Sequence, residues 1–113
     1  MKFFLGVNCE HITKNLLNDF EGIGLVRSEY LCRLQNQYIT KKECRSFIFD
    51  YVKHLCSLDS KKMVWYRFTD LTTNEINTLD GCDLNIYEKY HFMGTKGVRR
   101  HLYNEEIFIK EAE

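Results

Sequence analysis

Two arginines, Arg27 and Arg67, stand at the ends of short apolar runs, and each is followed closely by an acid. The first run is Gly22-Ile23-Gly24-Leu25-Val26-Arg27, with Ser28-Glu29 behind it. The second is Met63-Val64-Trp65-Tyr66-Arg67, with Phe68-Thr69-Asp70 behind it. A strongly helical stretch separates them. Strand, helix, strand in that order predicts parallel strands that finish on one edge of a sheet, the edge where open α/β sheets and barrels gather their ligands. Two guanidinium groups there suit phosphate or carboxylate, because a planar fork donates two parallel hydrogen bonds to either anion. The plainer reading is structural: Arg27 pairs with Glu29 and Arg67 with Asp70, as ion pairs at strand ends commonly do.

The elements that would position these arginines follow from the pattern of apolar residues. Residues 2–8 are a nearly continuous apolar run and predict a buried first strand. Asn8 is placed to cap a first helix whose inner face carries Ile12, Leu16 and Phe20, and Gly22 is placed to stop it in a left-handed conformation. Strand two covers 22–27. Thr40 and Glu43 form a T-x-x-E capping box for a long helix. In that helix Cys44, Phe47, Ile48, Tyr51, Leu55 and Leu58 share one face, and Lys41, Lys42, Arg45, Asp50 and Lys53 fall mostly on the other. After a polar turn at 57–62, strand three covers 63–68. Residues 70–96 show no single period, beyond a helical turn near 72–75 and a turn at Asp80-Gly81. Asn104, ahead of Glu105 and Glu106, is placed to cap a last helix.

Composition narrows the function. The 113 residues suffice for one domain with a modest core, and sixteen basic residues balance sixteen acidic ones. Zero net charge argues against nucleic acid and anionic membrane as partners, and so against a nucleic-acid binder using Trp65, Tyr66 and a basic loop. No apolar run approaches the roughly 20 residues of a membrane-spanning helix, and no signal-peptide pattern opens the chain, so a cytoplasmic location is expected. Cys9, Cys32, Cys44, Cys56 and Cys82 are widely and irregularly spaced, without a C-x-x-C pair, which predicts neither a disulfide framework nor a zinc site. Cys44 and Cys56 are expected in the core or at its boundary. His11, His54, His91 and His101 lack metal-ligand spacing, and Gly22-x-Gly24 lacks the third glycine of a dinucleotide loop.

Three segments, taken in order, resemble the phosphoenolpyruvate-utilising enzymes, the family of phosphoenolpyruvate synthase, pyruvate phosphate dikinase and enzyme I of the sugar phosphotransferase system. Glu21-Gly22-Ile23-Gly24-Leu25-Val26-Arg27-Ser28-Glu29-Tyr30-Leu31 is similar to the family's E-G-I-G-L-x-R-[TS]-E-[FY]-L segment. Val64-Trp65-Tyr66-Arg67-Phe68-Thr69-Asp70, continued to Asn74-Glu75, resembles its V-x-x-R-x-x-D-x-x-x-[ND]-[EK] strand. Met93-Gly94-Thr95-Lys96-Gly97-Val98-Arg99 is similar to its N-P-x-L-G-x-R-G-x-R loop, with His91-Phe92 in place of Asn-Pro. The tail with Glu106-Ile107-Phe108 and Glu111 resembles the helix after that loop.

The resemblance implies an α/β fold: a partial (β/α)8 barrel of about three parallel strands with flanking helices, residues 1–113 forming a single incomplete unit. It implies that Arg27, Arg67, Lys96 and Arg99 contact the phosphate of phosphoenolpyruvate or another phosphorylated small molecule, with Glu29 and Asp70 orienting the arginines. Lys96 stands where the family has an arginine, which keeps the charge but loses the fork. The family uses magnesium, but its metal carboxylates and catalytic cysteine lie on later strands, so neither a metal ligand nor a catalytic residue is assignable here. A full barrel needs about 250 residues. The expected function is therefore a fragment or short relative of a phosphoenolpyruvate-dependent phosphotransferase, inactive alone. The alternative is a non-catalytic remnant that binds phosphometabolites or a protein. Uncovered strand edges predict self-association or contact with the remainder of a longer chain.

Overall fold

The computed structural model describes residues 2–71, 73–76, 78–80 and 105–113. Three strands, β1 (Leu5–Val7), β2 (Gly22–Arg27) and β3 (Met63–Arg67), form one parallel sheet in the order β1-β2-β3. A short helix, α1 (Lys14–Leu17), links β1 to β2. Two helices, α2 (Ser28–Gln35) and α3 (Lys42–Leu58), link β2 to β3. A further turn, α4 (Thr73–Ile76), follows β3, and α5 (Glu105–Ala112) ends the chain. The architecture is α/β, three parallel strands flanked by helices, consistent with part of a barrel.

The core forms where the sheet meets α2 and α3. Ile23 and Val26 of β2 are fully buried, together with Leu31 and Cys32 of α2 and Cys44 and Leu55 of α3. Val64 and Tyr66 of β3 pack against this cluster. Alternation then sends Met63, Trp65 and Arg67 to the opposite face, where Met63 is 58% and Trp65 57% exposed. Helices thus cover one face of β3 while the other lies open.

Several local expectations fail, each for a physical reason. The first strand is shorter than 2–8, and Phe3 and Phe4 are exposed, because β1 is an edge strand and its apolar residues are not covered on both faces. The N-cap of α1 is Thr13, whose Oγ1 accepts from the Leu16 amide, rather than Asn8. Ile12 and Leu17 fill the core from this segment, while Leu16 is exposed. Gly22 is not a left-handed stop: it is the first residue of β2, and a Cβ there would lie 2.6 Å from the Met63 carbonyl oxygen. Strand closeness, not turn geometry, requires the glycine. The carbonyls at the end of α1 are met instead by Lys62, whose Nζ donates to Leu17 O at 2.8 Å and Phe20 O at 2.7 Å.

Helix α3 starts one residue later than the capping box requires, with Lys41 at the N-cap and no side-chain cap bond. The Arg45 guanidinium folds back to donate to the carbonyls of Ile39 (3.0 Å) and Thr40 (2.8 Å). Cys44 is buried as expected, whereas Cys56 is exposed. Helix α2, which carries no long apolar period of its own, ends at Asn36, whose left-handed backbone (φ 52°) closes it. The turn at Gly81, the cap at Asn104 and Cys82 lie outside the described residues.

Candidate functional site

The site is built by strand register. Arg27 of β2 lies directly opposite Arg67 of β3, the last paired position of the two strands. Val7, the last residue of β1, lies opposite Val26, so Asn8 leaves the sheet beside Arg27. Helix α2 begins at Ser28 without any loop, which turns its amino-terminal end toward the same edge. The two arginines are thus neighbours at the carboxyl edge because both strands stop there and both are parallel.

Their side chains have different partners. Arg67 forms an ion pair with Glu29 through Nη2 and Oε1. Glu29 is only 7% exposed and the Arg67 side chain about 40% exposed. The pair is incompletely bonded: Oε2 of Glu29 and Nε of Arg67 are both buried and lack a hydrogen-bond partner among the described residues. Such groups are expensive to leave unmet. Arg27 instead donates from Nη1 to Oδ1 of Asn8 at 3.3 Å, and it forms no ion pair with a described residue. Asp70, expected to orient Arg67, is exposed and in contact with neither arginine. Of the two acids named with the arginines, Glu29, in the first turn of α2, is the one that pairs with Arg67.

A second layer of polar contacts fixes the end of β3. Ser28, fully buried, donates from Oγ to the Arg67 carbonyl at 2.8 Å and lies 3.3 Å from Thr69 Oγ1. Oε1 of Glu111, on α5, accepts from Thr69 N (2.6 Å), Thr69 Oγ1 (2.8 Å) and the Tyr66 hydroxyl (2.7 Å). Burial, reinforced by the Glu111 carboxylate, pushes the Tyr66 phenol well above its ordinary pKa. Below this layer Cys32 and Cys44 bring their sulfurs within 3.6 Å across the α2–α3 contact. The Cys44 thiol and burial together hold the Cys32 thiol above its usual value. Sequence reasoning gave Ser28, Thr69 and Glu111 no role; the one available signal was that Ser28 and Thr69 flank the two arginines on the carboxyl side.

Of the residues expected to hold phosphate, the structure brings Arg27 and Arg67 together, while Lys96 and Arg99 lie outside the described residues. For a divalent cation the donor set among the described residues does not fit. No group of three or more His, Cys, Asp or Glu among the described residues could hold a metal, and Glu29 is engaged by Arg67.

Residues 5–113 match the family described as PEP-utilising enzyme, PEP-binding domain. The chain belongs to that family. It is 28% identical over 98 residues to a probable phosphoenolpyruvate synthase of Methanothermobacter thermautotrophicus (strain Delta H), an alignment covering 80% of this chain and 14% of the relative. The chain thus corresponds to a small part of that relative's length. The matched span includes both strand-end arginines, Arg27 and Arg67.

Proposed function

We propose that Arg27 and Arg67 bind the phosphoryl group of phosphoenolpyruvate, and that residues 1–113 are one incomplete phosphate-binding portion of a phosphoenolpyruvate-dependent phosphotransferase. The observation that carries this reading is the register pairing of Arg27 with Arg67 at the carboxyl edge, in a chain of the PEP-binding family. Transferring phosphoryl groups spread negative charge over their peripheral oxygens, and fixed guanidinium donors stabilise that charge without reorganising. Lys96 and Arg99 complete the phosphate contacts in this reading. Arg67 is anchored by Glu29, so Arg27 supplies the larger share of unneutralised charge.

The chain alone does not transfer phosphoryl groups. Magnesium, the acid and the proton donor belong to the parent enzyme in this reading. Its remaining strands cover the open face of β3, where Met63 and Trp65 are exposed, or a second copy of the chain does. That same exposed face favours the second reading, a non-catalytic remnant whose arginines bind a phosphometabolite and whose sheet binds a protein. No helix among the described residues is long and apolar enough to cross a membrane.

The test is titration of the 113-residue chain with phosphoenolpyruvate, followed by amide chemical shifts. Saturable shifts at residues 27 and 67, lost in Arg27→Ala and Arg67→Ala, are expected. Absence of any response at millimolar ligand overturns phosphate binding, and turnover by the purified chain overturns the predicted inactivity.

A further inference from the structure

We infer that Asn8 is a positioning residue for Arg27, aiming its guanidinium at the phosphoryl group; this rests on the phosphate-binding reading above. The contrast between the two arginines carries the inference. Arg67 is held by a carboxylate, which fixes its geometry but also offsets its charge. Arg27 is held by a neutral amide oxygen, 3.3 Å from Nη1. A neutral acceptor fixes one edge of the fork without itself offsetting the charge, and the exposed Glu10 carboxylate nearby forms no ion pair with Arg27, so the remaining N–H donors stay open to an anionic ligand.

Asn8 is itself held in place. It follows directly on β1, and its backbone N–H donates to Oε2 of Glu10 at 2.7 Å, as does that of Cys9 at 3.1 Å. These bonds, with the nearby Arg27 charge, lower the Glu10 pKa. From α3, the Tyr51 hydroxyl donates to the Glu10 carbonyl at 2.8 Å. A run of contacts therefore leads from the long helix through Tyr51, Glu10 and Asn8 to Arg27. Its last member is a side-chain amide whose only described contact is the arginine. The loop after β1 thereby joins the site, although the sequence presents Asn8 as a helix cap.

Two variants test this in the full 113-residue chain. Asn8→Ala removes the acceptor. Asn8→Asp keeps the shape but supplies a charge that neutralises Arg27. Both should weaken phosphoenolpyruvate binding about 3–10-fold, as expected for one lost or misdirected charge-assisted hydrogen bond. Asn8→Ala should also shift the Arg27 side-chain Nε–H resonance, assigned with Arg27→Lys, and leave that of Arg67 in place. If the unmodified chain binds and both variants bind equally well, the positioning role is overturned while phosphate binding stands. An unmoved Arg27 resonance in Asn8→Ala also overturns it. If the unmodified chain does not bind phosphoenolpyruvate, the underlying reading fails and takes the ligand-directed role of Asn8 with it.

Discussion

Arg27 and Arg67 face each other across adjacent parallel strands, yet one is held by an amide and the other by a buried carboxylate. Backbone register makes them a pair, and their partners make them unequal. Arg67 is both a candidate ligand group and the counter-charge that lets Glu29 sit inside the protein. Arg27 has no comparable structural duty among the described residues. In the proposed phosphate site, one guanidinium is fixed by an ion pair within the fold and the other is left open to the ligand.

This inequality predicts different costs for removing each arginine. Arg67→Ala leaves a nearly buried carboxylate without its counter-ion, and should destabilise the chain by about 1–3 kcal/mol. Arg27→Ala should cost less than about 1 kcal/mol, since its partner is neutral. Urea denaturation of the two variants checks the order. Adding Glu29→Gln to Arg67→Ala should restore part of the loss, because the stranded charge is then gone. Equal destabilisation by the two single variants would contradict the assignment.

Gly22→Ala should be costly for a purely steric reason. The added Cβ would lie 2.6 Å from the backbone carbonyl of Met63, which cannot move without disturbing the β2–β3 pairing. A loss of about 1–3 kcal/mol is expected, visible as a drop in thermal midpoint of roughly 3–6 °C per kcal/mol. Gly6→Ala, at a position with open space around it, is the matched control and should change stability far less.

Alkaline pH should destabilise the fold through two partly buried phenols. Burial, with the nearby Glu10 and Cys9, pushes Tyr51 up to about 12, and Tyr66 is raised as well. A folded-state pKa above the unfolded value means that the folded protein holds the proton more tightly. The stabilisation is therefore complete below about pH 10, where the unfolded phenols still carry their protons, and is lost as pH rises through the folded values. Denaturation midpoints measured from pH 8 to 12 should be flat at first and then fall. Tyr51→Phe should flatten part of that decline.

The cysteines should divide by accessibility. Cys9 and Cys56 are exposed, whereas Cys32 and Cys44 are buried against each other. Brief iodoacetamide treatment of the native chain, read by peptide mass spectrometry, should label the first two and spare the second two until denaturant is added. Native labelling of Cys32 as fast as Cys56 would contradict the packing of α2 on α3.

Much of the fold was legible because it depends on periodicity. The two arginine-terminated strands and the buried face of α3, with Cys44, Ile48 and Leu55, emerge in the expected places. What the sequence hid is what depends on contacts between distant segments. Glu29 reaches Arg67 across 38 positions and Asn8 reaches Arg27 across 19, while Glu111 and Thr69 are 42 apart. Asp70 is the acid nearest Arg67 in sequence, but it is exposed, and the ion pair forms with Glu29 in the first turn of α2. Capping chemistry misled for a related reason. Thr40 and Glu43 fit a local pattern, but the helix entry is fixed by Arg45 folding onto the preceding carbonyls.

The most direct measurement is a crystal structure of this chain grown or soaked with phosphoenolpyruvate. Phosphoryl oxygens are expected within hydrogen-bond distance of both the Arg27 and Arg67 guanidiniums, at the carboxyl edge of β2 and β3. Ligand density elsewhere on the surface, with both arginines still bound only to Asn8 and Glu29, would contradict it.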